Sequence, residues 1–148
     1  MFFNDWLRER VNLTSESGES RLKLLDGDVF VSKEGKQSTP KTIPTREYEA
    51  QKLIPTGLLC GRDVFRAKLD AREIEKEYDD EFLQSKGSRR DAIIYPQDIV
   101  CNYVRKETLL NISFSLPKGS YATVFLESIA GKNFSAKDVK KKDKNNKF

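Results

Sequence analysis

The residues best suited to chemistry in this 148-residue chain are Lys118-Gly119-Ser120-Tyr121, where an alternating apolar stretch ends at Pro117 and an amphipathic run begins. A helix that starts here presents unpaired backbone N–H groups and the positive end of its dipole, both suited to a phosphate or a carboxylate. Gly119 allows close approach to the backbone, and Lys118 adds charge. The competing account is a plain strand-to-helix turn, with Ser120 as N-cap and Tyr121 packed in the core. A second candidate is Arg89-Arg90, directly after Gly87-Ser88. A guanidinium fork can hold a phosphate at two points; the alternative is a surface ion pair with the acidic segment before it.

Other chemistries are excluded. The chain contains no His, which removes His-based acid–base catalysis, Ser-His and Cys-His pairs and zinc fingers. Cys60 and Cys101 read as two small, partly buried thiols. Asp79 and Asp80 are adjacent, and neighbours on a helix point about 100° apart, so they form neither a glycosidase pair nor a metal site. No metal and no small-molecule cofactor is expected. The formal charge of +4 is concentrated in the last twelve residues, where six lysines face Asp138 and Asp143 and leave the rest of the chain balanced. A Lys- and Asn-rich end of this kind is expected to be a disordered basic tail over 135–148, either a solvated terminus or a nonspecific phosphate tether. No run approaches the roughly 20 apolar residues that cross a bilayer. Asp5, Arg8 and Glu9 interrupt the stretch an export signal would need, so a cytoplasmic protein without a membrane role is expected.

The elements that must position these candidates follow from periodicity. Phe3, Trp6, Leu7 and Arg10 or Val11 predict a helix over residues 3–11 that ends near Asn12, with a loop from Thr14 to Ser20. Val29–Val31 reads as a short strand followed by a turn at Lys33–Lys36 that opens a hairpin. Ser38–Thr45 reads as edge strand or linker, and Leu53–Leu59 as a buried strand. Phe65–Leu83 is the strongest helical segment, with Leu69, Ile74, Tyr78 and Phe82 as its buried stripe and Glu73, Glu75 and Asp79 on the solvated face. Strands follow at Ala92–Tyr95, Ile99–Val104 and Leu110–Leu116, then a helix with Tyr121, Val124, Phe125 and Ile129 in one stripe. The fold class is α+β, a mixed or antiparallel sheet with packed helices. With 37% hydrophobic and 34% charged residues, the chain has a modest core.

Leu116–Glu127, after the alternating Ile112–Ser115, resembles the closing signature of the TruD family of tRNA pseudouridine synthases. Ile54–Gly61 resembles that family's threonine-glycine loop. Gly87-Ser88-Arg89-Arg90 resembles its glycine and paired arginines, and Phe2-Phe3-Asn4 the end of its leucine-phenylalanine-asparagine helix. The likeness covers residues 2 to 134. It implies a tRNA pseudouridine(13) synthase, which uses an aspartate to detach uracil from its ribose and reattach it through carbon, without a cofactor and with tRNA as partner. The family's glycine-lysine-aspartate segment, with the nucleophile, and its phenylalanine-rich pocket segment are not found in this chain. The resemblance therefore implies the C-terminal part of a longer enzyme, inactive alone, with no catalytic residue here and the missing N-terminal part as a partner. Residues 1–88 would be the rear of the family's inserted domain, and 89–134 the returning strands and last helix of the catalytic domain. Arg89, Arg90, Lys118, Gly119, Ser120 and Tyr121 would then face RNA. The alternative is a noncatalytic RNA-binding or protein-interaction module.

Overall fold

The computed structural model describes residues 2–131. They fall into two compact units that divide between Ile93 and Ile94. The basic tail expected over 135–148 lies outside the described residues.

In the first unit, α1 (Phe2–Ser17) turns Phe3, Trp6 and Arg10 inward, the spacing the sequence predicts. The helix runs past its expected end. Thr14 Oγ1 donates to the Arg10 carbonyl at 2.7 Å and Ser15 Oγ to that of Val11 at 3.1 Å. The hydroxyls thus bond back into the helix instead of breaking it, and the turn comes at Gly18, which has positive φ. Strands β1 (Phe30–Ser32) and β2 (Gln37–Ser38) form the expected hairpin. A short α2 (Thr45–Glu49) leads to β3 (Leu53–Leu59), and the unit ends with β4 (Ser88–Asp91). The sheet order is β2-β1-β3-β4, antiparallel throughout, so β3 lies inside and is buried from Pro55 to Leu58. Ala92–Tyr95, expected as a strand, is irregular; pairing with β3 takes the preceding Ser88–Asp91 instead.

The long helix expected over 65–83 is replaced by a short α3 (Leu69–Glu75) and one 3-10 turn (Lys76–Tyr78). Its inward residues are Ala71 and Glu75, whereas Leu69 is 70% exposed and Phe82 90%. The apolar stripe is overruled by electrostatics. Glu75 turns in to accept the Ala67 N–H at 2.8 Å, and Asp79 sits in extended backbone between two arginines. No side chain caps α3. The Lys68 N–H donates to the Gly27 carbonyl and that of Ala71 to the Asp26 carbonyl, both at 3.0 Å. Gly27 has φ +85°, and a methyl there would collide with the Lys68 carbonyl.

On the sheet face carrying Gly57, α1 lays Phe3 and Trp6 so closely that a Cβ at Gly57 would strike both rings. Beside them, Arg10 reaches the start of β1 and donates to Asp28 at 2.6 and 2.9 Å, both side chains being almost fully enclosed. Tyr78 ties the 3-10 turn back to α1 by donating to Glu9 at 2.5 Å, and this bond pushes its hydroxyl up to about 12.

In the second unit, β5 (Gln97–Val104) and β6 (Leu109–Ser115) form an antiparallel pair joined by a 3-10 turn at Arg105–Glu107. Helix α4 (Ala122–Ala130) follows, with Phe125 edge-on to Phe114 at 4.7 Å. Helices with antiparallel sheets make the chain α+β, as expected.

Gly57→Ala is expected to lower stability by about 1–3 kcal/mol, because the α1 rings have no room to move aside. Gly57 is not among the positive-φ glycines, so the loss would come from the clash with the rings. An unchanged melting temperature would contradict the packing of α1 on β3.

Candidate nucleic-acid interface

The turn singled out by sequence is open. The Ser120 N–H donates to the Pro117 carbonyl at 3.2 Å, and Gly119 has positive φ. Lys118 is exposed and Tyr121 is 70% exposed, so the core position considered for Tyr121 is not observed. Ser120 does not cap α4. Tyr121 is the N-cap residue, in extended backbone, and among the described residues no side-chain cap bond is made to α4. The turn thus presents an exposed cation, an aromatic face and a helix start together.

Arg89 and Arg90, adjacent on β4, point to opposite faces of the sheet. Arg90 is exposed and sits over the Phe3 ring, 5.1 Å from its centroid. Arg89 turns inward until its side chain is 2% exposed. Its Nε donates to Thr56 Oγ1 at 3.1 Å and its Nη2 to the Thr56 carbonyl at 2.5 Å. Its Nη1 donates to the Phe65 carbonyl at 3.1 Å and to Glu75 Oε2 at 2.5 Å. The ion pair with the acidic segment is observed, but it is buried instead of superficial, and the Arg89 fork is occupied by protein acceptors.

The pair continues into a chain of alternating charge. Arg72 lies 3.5 Å from Glu75 and 2.8 Å from Asp79, which also takes a 2.7 Å contact from Arg66. Burial pulls the Arg89 guanidinium below its ordinary value while Glu75 pulls it back, and an arginine so placed stays charged. Desolvation pushes Asp79 up, yet hydrogen bonds from Arg66 and Arg72 outweigh it and hold the carboxyl below its ordinary value. Sequence reading missed Glu75, Arg72 and Asp79 as inward residues. Nothing in a Glu-rich helical pattern distinguishes an acid that meets an arginine from a distant strand.

Among the described residues no three His, Cys, Asp or Glu side chains gather in a way that could hold a metal ion. Among them, too, no helix is long and apolar enough to cross a membrane.

The profile of the family described as tRNA pseudouridine synthase D (TruD) matches residues 1–129. The chain belongs to the TruD family. It is 48% identical over 86 residues to the tRNA pseudouridine synthase D of Nitratiruptor sp., covering 58% of this chain and 24% of that protein. With the tRNA pseudouridine synthase D of Wolinella succinogenes it shares 30% identity, over 86% of this chain and 43% of the relative. The chain thus spans less than half the length of these curated relatives. In fold it resembles the TruD crystal structure from Methanosarcina mazei, with a TM-score of 0.56 and 23% identity over 85% of this chain and 35% of that one.

Two outcomes follow from the buried charges. Arg89→Ala strands the Glu75 carboxylate and is expected to cost about 3–5 kcal/mol, whereas Arg89→Met with Glu75→Gln costs less than the two single changes together. Additive urea midpoints would show that the pair does not interact. The Asp79 contribution is fully present above the ordinary aspartate value of 3.8 and is lost as pH falls through the lower folded value. Asp79→Asn should therefore flatten the acid decline of the melting temperature, and parallel declines would contradict the Arg66–Asp79–Arg72 arrangement.

Proposed function

We propose that this chain supplies RNA-facing surface and closing core elements of a tRNA pseudouridine synthase whose nucleophilic aspartate lies on polypeptide outside it. The observation that carries this reading is the TruD match over residues 1–129, in a chain that spans under half of its relatives. The first unit corresponds to the rear of the family's inserted domain, with β4 included, and the second to returning strands and the last helix of the catalytic domain. The partners are tRNA and the remaining part of the enzyme, in the cytoplasm.

The open turn at Lys118–Tyr121 and the outward Arg90 are the RNA contacts in this reading. Lys118 and Arg90 meet phosphate, and the exposed Tyr121 ring offers a stacking face for an unpaired base. Arg89 acts indirectly, by holding the strand that carries Arg90.

The test uses tRNA carrying tritium at uridine C5, which is released when that carbon bonds to the ribose. The chain alone should release none. The chain mixed with the part of the Wolinella relative that it does not match, made as a separate polypeptide, should turn over. Turnover by the lone chain would reject the proposal. Removal of residues 137–148 should leave structure-selective tRNA binding in place; complete loss of affinity would instead favour a noncatalytic binder that works through its basic end.

A further inference from the structure

Arg90 is a cation whose place is fixed and whose hydrogen-bonding capacity is unspent. Elsewhere in the first unit guanidinium groups meet acids: Arg10 on Asp28, Arg66 and Arg72 on Asp79, Arg89 on Glu75. Arg90, among the described residues, takes part in no ion pair and no side-chain hydrogen bond; its guanidinium lies over the Phe3 ring, 5.1 Å from the centroid. A π face attracts the charge yet supplies no carbonyl or carboxylate, so the five N–H donors remain available to an outside acceptor. The ring is itself held. Phe3 is 6% exposed and lies 5.6 Å from Trp6, tilted by 38°. Both rings fill the space over Gly57, the residue registered opposite Arg90 on β3, and a Cβ there would meet Phe3 at 2.7 Å. Three segments that the sequence singles out separately, Phe2-Phe3-Asn4, Ile54–Gly61 and Gly87–Arg90, thus converge on one exposed cation on the edge strand of the sheet.

We infer that Phe3 is a positioning residue for nucleic-acid recognition: its ring seats Arg90 so that the guanidinium fork is presented, already placed, to a phosphate of the RNA backbone. A fork suits phosphate because two N–H groups can meet two oxygens of one group. A long side chain held in advance loses less freedom when the ligand arrives, and this is what the ring contributes. Phe3 acts through Arg90 and does not itself touch RNA. The inference rests on the functional reading above and adds to it the residue that sets the place of Arg90.

Binding of the full chain to an unmodified tRNA transcript over a series of salt concentrations tests it. Arg90→Ala should weaken binding about tenfold and lower the salt slope by about one phosphate contact. Phe3→Leu should weaken binding about fivefold, and the same change in the Arg90→Ala background should have no further effect. A ring that only packs α1 would give equal losses in both backgrounds, which would overturn the inference. Arg90→Lys leaves α1 untouched and keeps the charge without the fork; it should weaken binding about threefold at an unchanged salt slope, and parental affinity would overturn the two-point contact. In the unaltered chain, the Arg90 Nε–H proton resonance, assigned by its loss in Arg90→Ala, should be displaced by the Phe3 ring and stay displaced when tRNA is bound. Collapse of that displacement on binding would show that Arg90 leaves the ring to reach RNA, and would overturn the positioning role whether or not Phe3→Leu folds. Turnover restored by the unmatched part of the Wolinella relative, with a KM for tRNA indifferent to Arg90→Ala, would overturn the inference and spare the functional reading. The expected binding pattern without turnover would sustain the inference and count against that reading. Weaker association with the Wolinella part in Arg90→Ala, at unchanged tRNA affinity, would assign the fork to a protein carboxylate and overturn the inference.

Discussion

The Arg89 guanidinium is the junction on which the first unit depends. It joins β4 to the backbone and hydroxyl of Thr56 on β3, to the loop carbonyl of Phe65 and to Glu75 at the end of α3. Enclosing a charge this deeply is offset by the bonds it makes, and here each of the three guanidinium nitrogens donates, to acceptors from three separate stretches of chain. The apolar cluster beneath α3 is small, with Val29, Ala67 and Ala71 fully buried and Leu25 against them. Bulk burial alone would leave α3 free to slide. The directional bonds of Arg89 fix its register, as those of Arg10 to Asp28 fix α1 against the start of β1.

The second unit is built on the opposite principle. It has exposed apolar side chains along both strands and the helix, and Phe114 meets Phe125 edge-on between sheet and helix. The first unit is closed by internal charge pairing, and the second keeps its apolar surface open.

Much of this was legible in the residues. The alternation in Leu110–Leu116 and the Phe3, Trp6, Arg10 spacing gave β6 and the buried face of α1, because burial on one side leaves a periodic trace. The apolar run Leu53–Leu59 gave the central strand. The helix over 65–83 was misread because propensity and periodicity are local, whereas Glu75 and Asp79 answer to Arg89, Arg72 and Arg66. Arg89 and Arg90 are neighbours on β4, and the sequence could not show that the strand would send one inward and the other out. Ser120 had the chemistry of a cap, yet the helix starts one residue too late for it to act.

The carbonyls of Asp26 and Gly27 hold the first amides of α3 from more than forty residues earlier in the chain. A seven-residue helix is too short to persist unaided. Its formation must therefore wait for a distant loop to close, so α3 has no independent life as a peptide. Cleavage in the intervening segment would turn an intramolecular brace into a bimolecular encounter, and the helix would melt even with all its own residues intact.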